Sequence, residues 1–205
     1  MINKDTSTTG KKILVLATGN PDKVGEMNEL LRDLDWEVRS FKQVAGDHDI
    51  AETGITLDEN AEIKARFVRE LTGYPALADD TGLEVDQLDG QPGVHSARFA
   101  GPEADALQNR KKLIKALEHV PDPGQRTARF RTVLVYLDEH GVRKYEGVCE
   151  GHITADERGS GGFGYDPLFR PEGYRETFAE MDPLEKNRIS HRGKALQQFI
   201  LDFRK

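Results

Sequence analysis

Near its start the chain runs Ile13-Leu14-Val15-Leu16-Ala17-Thr18-Gly19-Asn20-Pro21-Asp22-Lys23. The first five of these residues form a short continuous apolar run, the pattern of a strand buried on both faces, and Thr18-Gly19-Asn20-Pro21 breaks it. A helix should follow at once. Asn20 can cap it, Pro21 suits its first position, and Val24, Met27, Leu30, Leu31 and Leu34 recur at helical spacing. Strand, tight turn and helix in that order open an α/β protein.

Working outward, Trp36 to Phe41 reads as a second strand. Thr56-Leu57-Asp58-Glu59 reads as a capping box that opens a helix with Ile63, Phe67 and Leu71 on its apolar stripe. Ala76-Leu77-Ala78 starts another strand, and Asp79-Asp80 is expected at its end. Beyond a turn-rich stretch through Gly101, Leu107, Ile114 and Leu117 mark a helix ended by Pro121-Asp122-Pro123-Gly124. Thr127 to Leu137 is rich in strand formers, Glu139-His140-Gly141 can turn it, and Arg143 to Glu150 can return as a hairpin partner. Leu196, Phe199, Ile200 and Phe203 close the chain with an amphipathic helix. The fold class is therefore α/β with a mixed sheet.

A chain of 205 residues suits one domain, here 12–205, behind a polar leader, 1–11, that is expected to be disordered. With 36 acidic against 29 basic residues the net charge is −7, which argues against coating DNA or an anionic membrane. The leader lacks the apolar core of a signal peptide, and no apolar run reaches the roughly 18 residues of a membrane span. Cys149 is the single cysteine, so an internal disulfide and a cysteine-based zinc site are both excluded, and a cytoplasmic location is expected.

Four segments carry chemistry. At Thr18, Gly19, Asn20, Pro21, Asp22 and Lys23, backbone N–H groups at the positive end of a helix can receive a phosphate, with Lys23 as a point charge. The same residues also make an ordinary capped helix with a surface lysine, and the spacing is not the Walker pattern. Six carboxylates and no base fall between Asp47 and Glu62, and five more between Asp79 and Asp89. Such hard oxygen donors suit Mg²⁺, although a solvated acidic loop has the same composition. Gly159-Ser160-Gly161-Gly162-Phe163-Gly164 satisfies the dinucleotide fingerprint formally, but Tyr165-Asp166-Pro167 follows where a helix should open. What remains is a glycine loop presenting Phe163 and Tyr165, whose rings could stack on a nucleobase or simply pack in a core. Lys186, Arg188, His191, Arg192 and Lys194 form a basic cluster without an acid, able to meet phosphate or a purine oxygen, or to lie on an exposed helix face. The six histidines show no H-x-x-x-H pair, no G-x-S-x-G elbow occurs, and Cys149 lies in a strand where it packs as a small apolar residue.

ATGNPDK, ETGITLDENAEIKA, ALADDTGLEVDQLDGQPGVHSARFAG, GGFGYDPLF and EKNRISHRGKAL, taken in this order, resemble the inosine triphosphate pyrophosphatase family. These are hydrolases of noncanonical purine nucleotides that include bacterial dITP/XTP pyrophosphatases. The resemblance spans nearly the whole chain. It implies an elongated mixed α/β fold of two lobes flanking a central cleft, a homodimer, and Mg²⁺-dependent hydrolysis of ITP, dITP and XTP to the monophosphate and pyrophosphate. Residue by residue, it implies that Thr18 to Lys23 hold the triphosphate with help from Lys186, and that Asp80 is the metal-linked proton acceptor. Glu52 would be the second metal ligand, and Thr81, where some relatives have serine, would touch substrate. Phe163, Gly164, Tyr165 and Asp166 would form the base pocket with His191 and Arg192. A purine nucleotide-binding regulatory module without hydrolysis would need the phosphate turn and the aromatic loop but not Asp80 with Glu52. An RNA-binding role for the basic cluster is disfavoured by the net charge.

Overall fold

The computed structural model describes residues 10–204, so residues 1–9 of the expected leader lie outside the described residues. β1 (Lys12–Leu16) and α1 (Pro21–Leu31) form as the opening stretch requires. Asn20 is the N-cap, its side chain accepting from the Asp22 and Lys23 amides, and Met27 and Leu31 turn inward. β2 (Trp36–Ser40) pairs parallel with β1. Phe41, expected to end that strand, instead starts the short helix α2 (Phe41–Ala45), because Ser40 and Gln43 close a capping box.

α3 (Leu57–Thr72) opens on the expected Thr56 and Glu59 box and ends at Gly73 in the left-handed region. Its buried face is not the expected one. Leu57, Asn60, Ala61, Lys64, Ala65 and Val68 are buried, whereas Leu71 is half exposed and Ile63 and Phe67 are only partly covered. Apolar periodicity missed this face because two of its members are polar and find their partners inside. β3 (Ala76–Val85) also runs further than its apolar start, so Asp79, Asp80 and Thr81 sit within the strand and not beyond its end.

β4 (Pro92–Gly93) pairs antiparallel with β3, and α4 (Ala106–Ala116) stops before the proline pair. β5 (Thr127–Asp138) and β6 (Gly141–Ile153) are the expected hairpin. β7 (Phe169–Pro171), which no sequence signal marked, pairs antiparallel with β6. α5 (Pro183–Ile189) and α6 (His191–Phe203) complete the chain. One mixed seven-stranded sheet results, in the order β2-β1-β3-β5-β6-β7 with β4 beside β3.

The chain divides into two compact units. The first contains 10–80, 133–146 and 195–204. Its core joins Leu14, Leu16, Met27 and Leu77 to Tyr136, Tyr145, Leu196 and Phe199, so α6 packs with β1, β3, β5 and β6. The second contains 81–132 and 147–194. Leu83, Leu113, Phe130, Ile153, Phe169 and Phe178 are at the centre of its core, with Cys149 packed among them as a small apolar side chain.

Candidate active site

In the first unit, the turn between β1 and α1 puts Thr18, Gly19 and Asn20 ahead of the helix N-terminus. Several of its amides are already engaged. Thr18 Oγ1 accepts from the Asn20 amide (3.2 Å), and Asn20 Oδ1 accepts from the amides of Asp22 (2.9 Å) and Lys23 (3.4 Å). The turn is thus held in shape by its own side chains, and a Cβ on Gly19 would meet nothing within 4 Å, which leaves room above it. Lys23 leans back to the sheet, with Nζ 3.1 Å from Asp79 Oδ2. Asp79 is fully buried, so its carboxylate fixes the Lys23 ammonium at the end of the turn.

Strand alternation sends Asp80 to the opposite face from Asp79. There Lys64 Nζ donates to Asp80 Oδ1 (2.6 Å) and to Glu52 Oε1 (3.0 Å). Glu52 reaches this point because the segment after it is fastened to α3. Asn60 Oδ1 accepts from the Gly54 amide (2.8 Å) and Glu59 Oε2 from the Ile55 amide (2.7 Å). A Cβ on Gly54 would stand 2.6 Å from Glu59 Cβ and 2.7 Å from Asn60 Oδ1, so the close approach needs glycine. Burial pushes the Asp80 carboxyl above the usual range, while Lys64 and Lys23 pull it back. Burial also opposes charge on Lys64, but Asp80, Asp79 and Glu52 together outweigh it and raise its pKa. The solvated-loop reading of the acids does not hold at this point, since Asp79 and Asp80 are buried and each faces a lysine.

The second unit holds the remaining residues. Asp166 Oδ2 accepts from the Phe163 amide (2.8 Å) and from Lys186 Nζ (2.8 Å), tying the glycine loop to α5. The loop opens no helix, so the dinucleotide fingerprint is formal only. Lys186 Nζ lies 5.1 Å from the centre of the Phe163 ring, and the Arg192 guanidinium carbon 5.7 Å. Arg192 Nη2 donates to Thr81 Oγ1 (3.1 Å), which shares a 2.6 Å hydrogen bond with Thr132 Oγ1. Arg192 is held by a tight α5 to α6 junction, where Ser190 caps α6 and the Asn187 carbonyl occupies the place a Gly193 Cβ would take. His191 stacks on Phe130 at 4.6 Å and 16°.

Two expectations change here. Tyr165 offers no stacking face, because it is buried in the core with its hydroxyl donating to the Ser96 carbonyl (2.9 Å). Gly164, beside it, has its carbonyl capped by Arg110 Nη1. The basic cluster also splits, with Lys186, His191 and Arg192 buried while Arg188 is exposed beside Glu185 and Lys194 bonds the Val148 carbonyl at the surface.

A sequence model of the Ham1 family matches residues 14–201. The chain belongs to the Ham1 family. It is 49% identical over 190 residues to a dITP/XTP pyrophosphatase of Porphyromonas gingivalis, covering 93% of this chain and 96% of that protein. It is 50% identical over 186 residues to a dITP/XTP pyrophosphatase of Desulforamulus reducens, covering 90% and 92%. Among solved structures, a HAM1 protein from Coxiella burnetii superposes with a TM-score of 0.84 at 44% identity, over 93% of this chain and 98% of that one. The Ham1 protein of Staphylococcus aureus gives 0.82 at 32%, over 95% and 100%.

The Ham1 chain gathers Glu52 and Asp80 around one cationic group, the Lys64 ammonium. Among the described residues, no three His, Cys, Asp or Glu side chains are placed to hold a metal by themselves. Two carboxylates completed by water and phosphate oxygens is the donor set Mg²⁺ takes, so the residues fit that ion. Lys64 and Asn60 in the first unit, and Thr132 in the second, touch the expected residues but carry no mark in the sequence reading. For Lys64 a signal existed, a lysine between Ala61, Ala65 and Val68 on what proves to be the buried face of α3.

Proposed function

We propose that this chain hydrolyses noncanonical purine nucleoside triphosphates, ITP, dITP and XTP, to the monophosphate and pyrophosphate, with Mg²⁺. The observation that carries the reading is the buried array in which Lys64 joins Asp80 to Glu52 while Lys23 is held by Asp79. The names of the relatives give it its substrate class. Glu52 and Asp80 would hold the metal, and the chemistry it supplies when bound is neutralisation of phosphate charge. Asp80 is the proton acceptor for the attacking water. Lys23, presented by the Thr18 to Asp22 turn, and Lys186 stabilise charge on the departing pyrophosphate. Phe163 stacks on the base. Arg192, oriented by Thr81, donates to a six-oxo group and meets a like donor in adenine, a mismatch that can discriminate by about 10⁴. His191 supports Arg192 from the aromatic cluster. No described helix is long and apolar enough to cross a membrane. A homodimer acting in the cytoplasm belongs to the same reading.

Pyrophosphate release with ITP, XTP, GTP and ATP in the presence of Mg²⁺ tests it. The expected result is kcat/KM for ITP and XTP far above that for ATP. A preference for ATP, or no pyrophosphate from any of them, overturns it, the latter in favour of the non-hydrolytic binding module.

A further inference from the structure

The pairing of β6 with β7 sets His152 directly opposite Arg170. Opposed residues of an antiparallel pair project to the same face, so the His152 ring and the Arg170 guanidinium stand side by side. Neither side chain makes a hydrogen bond or ion pair among the described residues. Both line a cavity of about 350 Å³, and Arg158 reaches it from the loop after β6. Arg158 is placed by its main chain, whose amide donates to the Pro167 carbonyl (2.9 Å) and whose carbonyl accepts from Thr177 Oγ1 (2.8 Å). Asp156 is the one acid in the lining, and Glu180 is within electrostatic reach of Arg158. Thr154, also in the lining, has its hydroxyl turned to the Asp156 and Leu168 carbonyls. Arg170 and His152 therefore keep their donors for a guest. None of these residues belongs to the candidate active site.

We propose that the cavity formed by His152, Arg158 and Arg170 is a second binding site, for a phosphate-type oxyanion. The guanidinium forks supply paired donors for tetrahedral oxygens, and the strand pair fixes two of the three groups before the anion arrives. Free inorganic phosphate and the phosphate of a small metabolite share this chemistry. The proposal does not depend on the hydrolytic reading, because it uses none of that site's residues.

The test is titration of the full chain with inorganic phosphate, and separately with ribose 5-phosphate, followed by the His152 ring resonances and by calorimetry. The His152 signal is assigned by its loss in His152→Gln. Saturable binding that shifts His152 is expected, weakened at least about tenfold by Arg170→Gln and by Arg158→Gln. Arg158 is exposed, so its variant keeps the test open should Arg170→Gln misfold. Tighter binding of ribose 5-phosphate than of phosphate would identify the metabolite as the source, and equal binding the free ion; either supports the site. No saturable binding up to about 20 mM of either probe, or binding that Lys23→Ala abolishes and Arg158→Gln leaves intact, overturns it.

Discussion

Replacing Lys64 by methionine keeps the length of the side chain and removes its charge. In the wild type, Nζ stands 2.6 Å from Asp80 Oδ1 and 3.0 Å from Glu52 Oε1, and its side chain is 8% exposed. At an effective dielectric of about 20, each of these pairs attracts by about 6 kcal/mol before the cost of desolvation. Removing one partner of a buried pair costs about 3 to 5 kcal/mol, because the remaining charge is left uncompensated. Here two carboxylates are left, facing each other. At the lower end of that range and a urea dependence of about 2 kcal/mol per molar, the unfolding midpoint should fall by about 1.5 M at neutral pH.

The loss should shrink on acidification. Burial raises the Asp80 carboxyl, so Asp80 is protonated early as pH falls and then no longer repels Glu52. Added Mg²⁺ should also recover more of the lost stability in Lys64→Met than it adds to the wild type, since the variant offers both carboxylates without a competing ammonium. Turnover with ITP should fall by about 10² or more even when Mg²⁺ restores the fold. The assays are urea unfolding with chelator and with Mg²⁺, and pyrophosphate release. A midpoint within about 0.3 M of the wild type, or identical Mg²⁺ stabilisation of the two proteins, would mean that Lys64 does not hold the two carboxylates together.

Three further outcomes follow from other parts of the molecule. Asp79→Asn should raise KM for ITP about tenfold or more with a smaller change in kcat, because it releases Lys23 from a charge-assisted bond of about 1.5 to 3 kcal/mol; an unchanged KM with reduced kcat contradicts this. Phe199→Ala should cost about 3 to 5 kcal/mol in urea unfolding, since the ring is fully buried against Trp36, Tyr136, Tyr145 and Phe203; a loss under about 1 kcal/mol would mean that the core collapses around the gap. Cys149 should resist iodoacetamide at pH 8 until the chain unfolds, because burial pushes its thiol up to about 11 and leaves only about a thousandth as thiolate; rapid labelling of the native protein would exclude that burial.

The elements that the sequence made legible are those whose cause is local. The apolar run before Thr18, the Asn20 cap with Pro21, the Thr56 and Glu59 box and the Glu139-His140 turn each act within a few residues, and each stands where it was read. What escaped depends on partners distant in sequence. β3 continues through Asp79 and Asp80 because Lys23 and Lys64 take those charges, and no window around residue 79 contains either lysine. The buried face of α3 was misread for the same reason, since Lys64 counts as polar until Glu52 and Asp80 are placed beside it. Of the two loop aromatics, only the packing of Tyr165 against the Ser96 carbonyl separates the core ring from Phe163.

The charge distribution also explains how a chain of net charge −7 can offer a site to a triphosphate. Each lysine expected to meet phosphate is paired with a carboxylate within its own unit: in the first unit Lys23 with Asp79 and Lys64 with Asp80 and Glu52, and in the second Lys186 with Asp166. A lysine taken out of water without a partner drifts toward the neutral amine and is useless to a phosphate. The paired acid keeps it charged and, being buried and fixed in the fold, keeps it in place. An incoming phosphate then competes for an ammonium that is already desolvated, so less water has to be removed at the moment of binding. Four of the acids, Glu52, Asp79, Asp80 and Asp166, thus serve anion recognition by holding the cations that meet it.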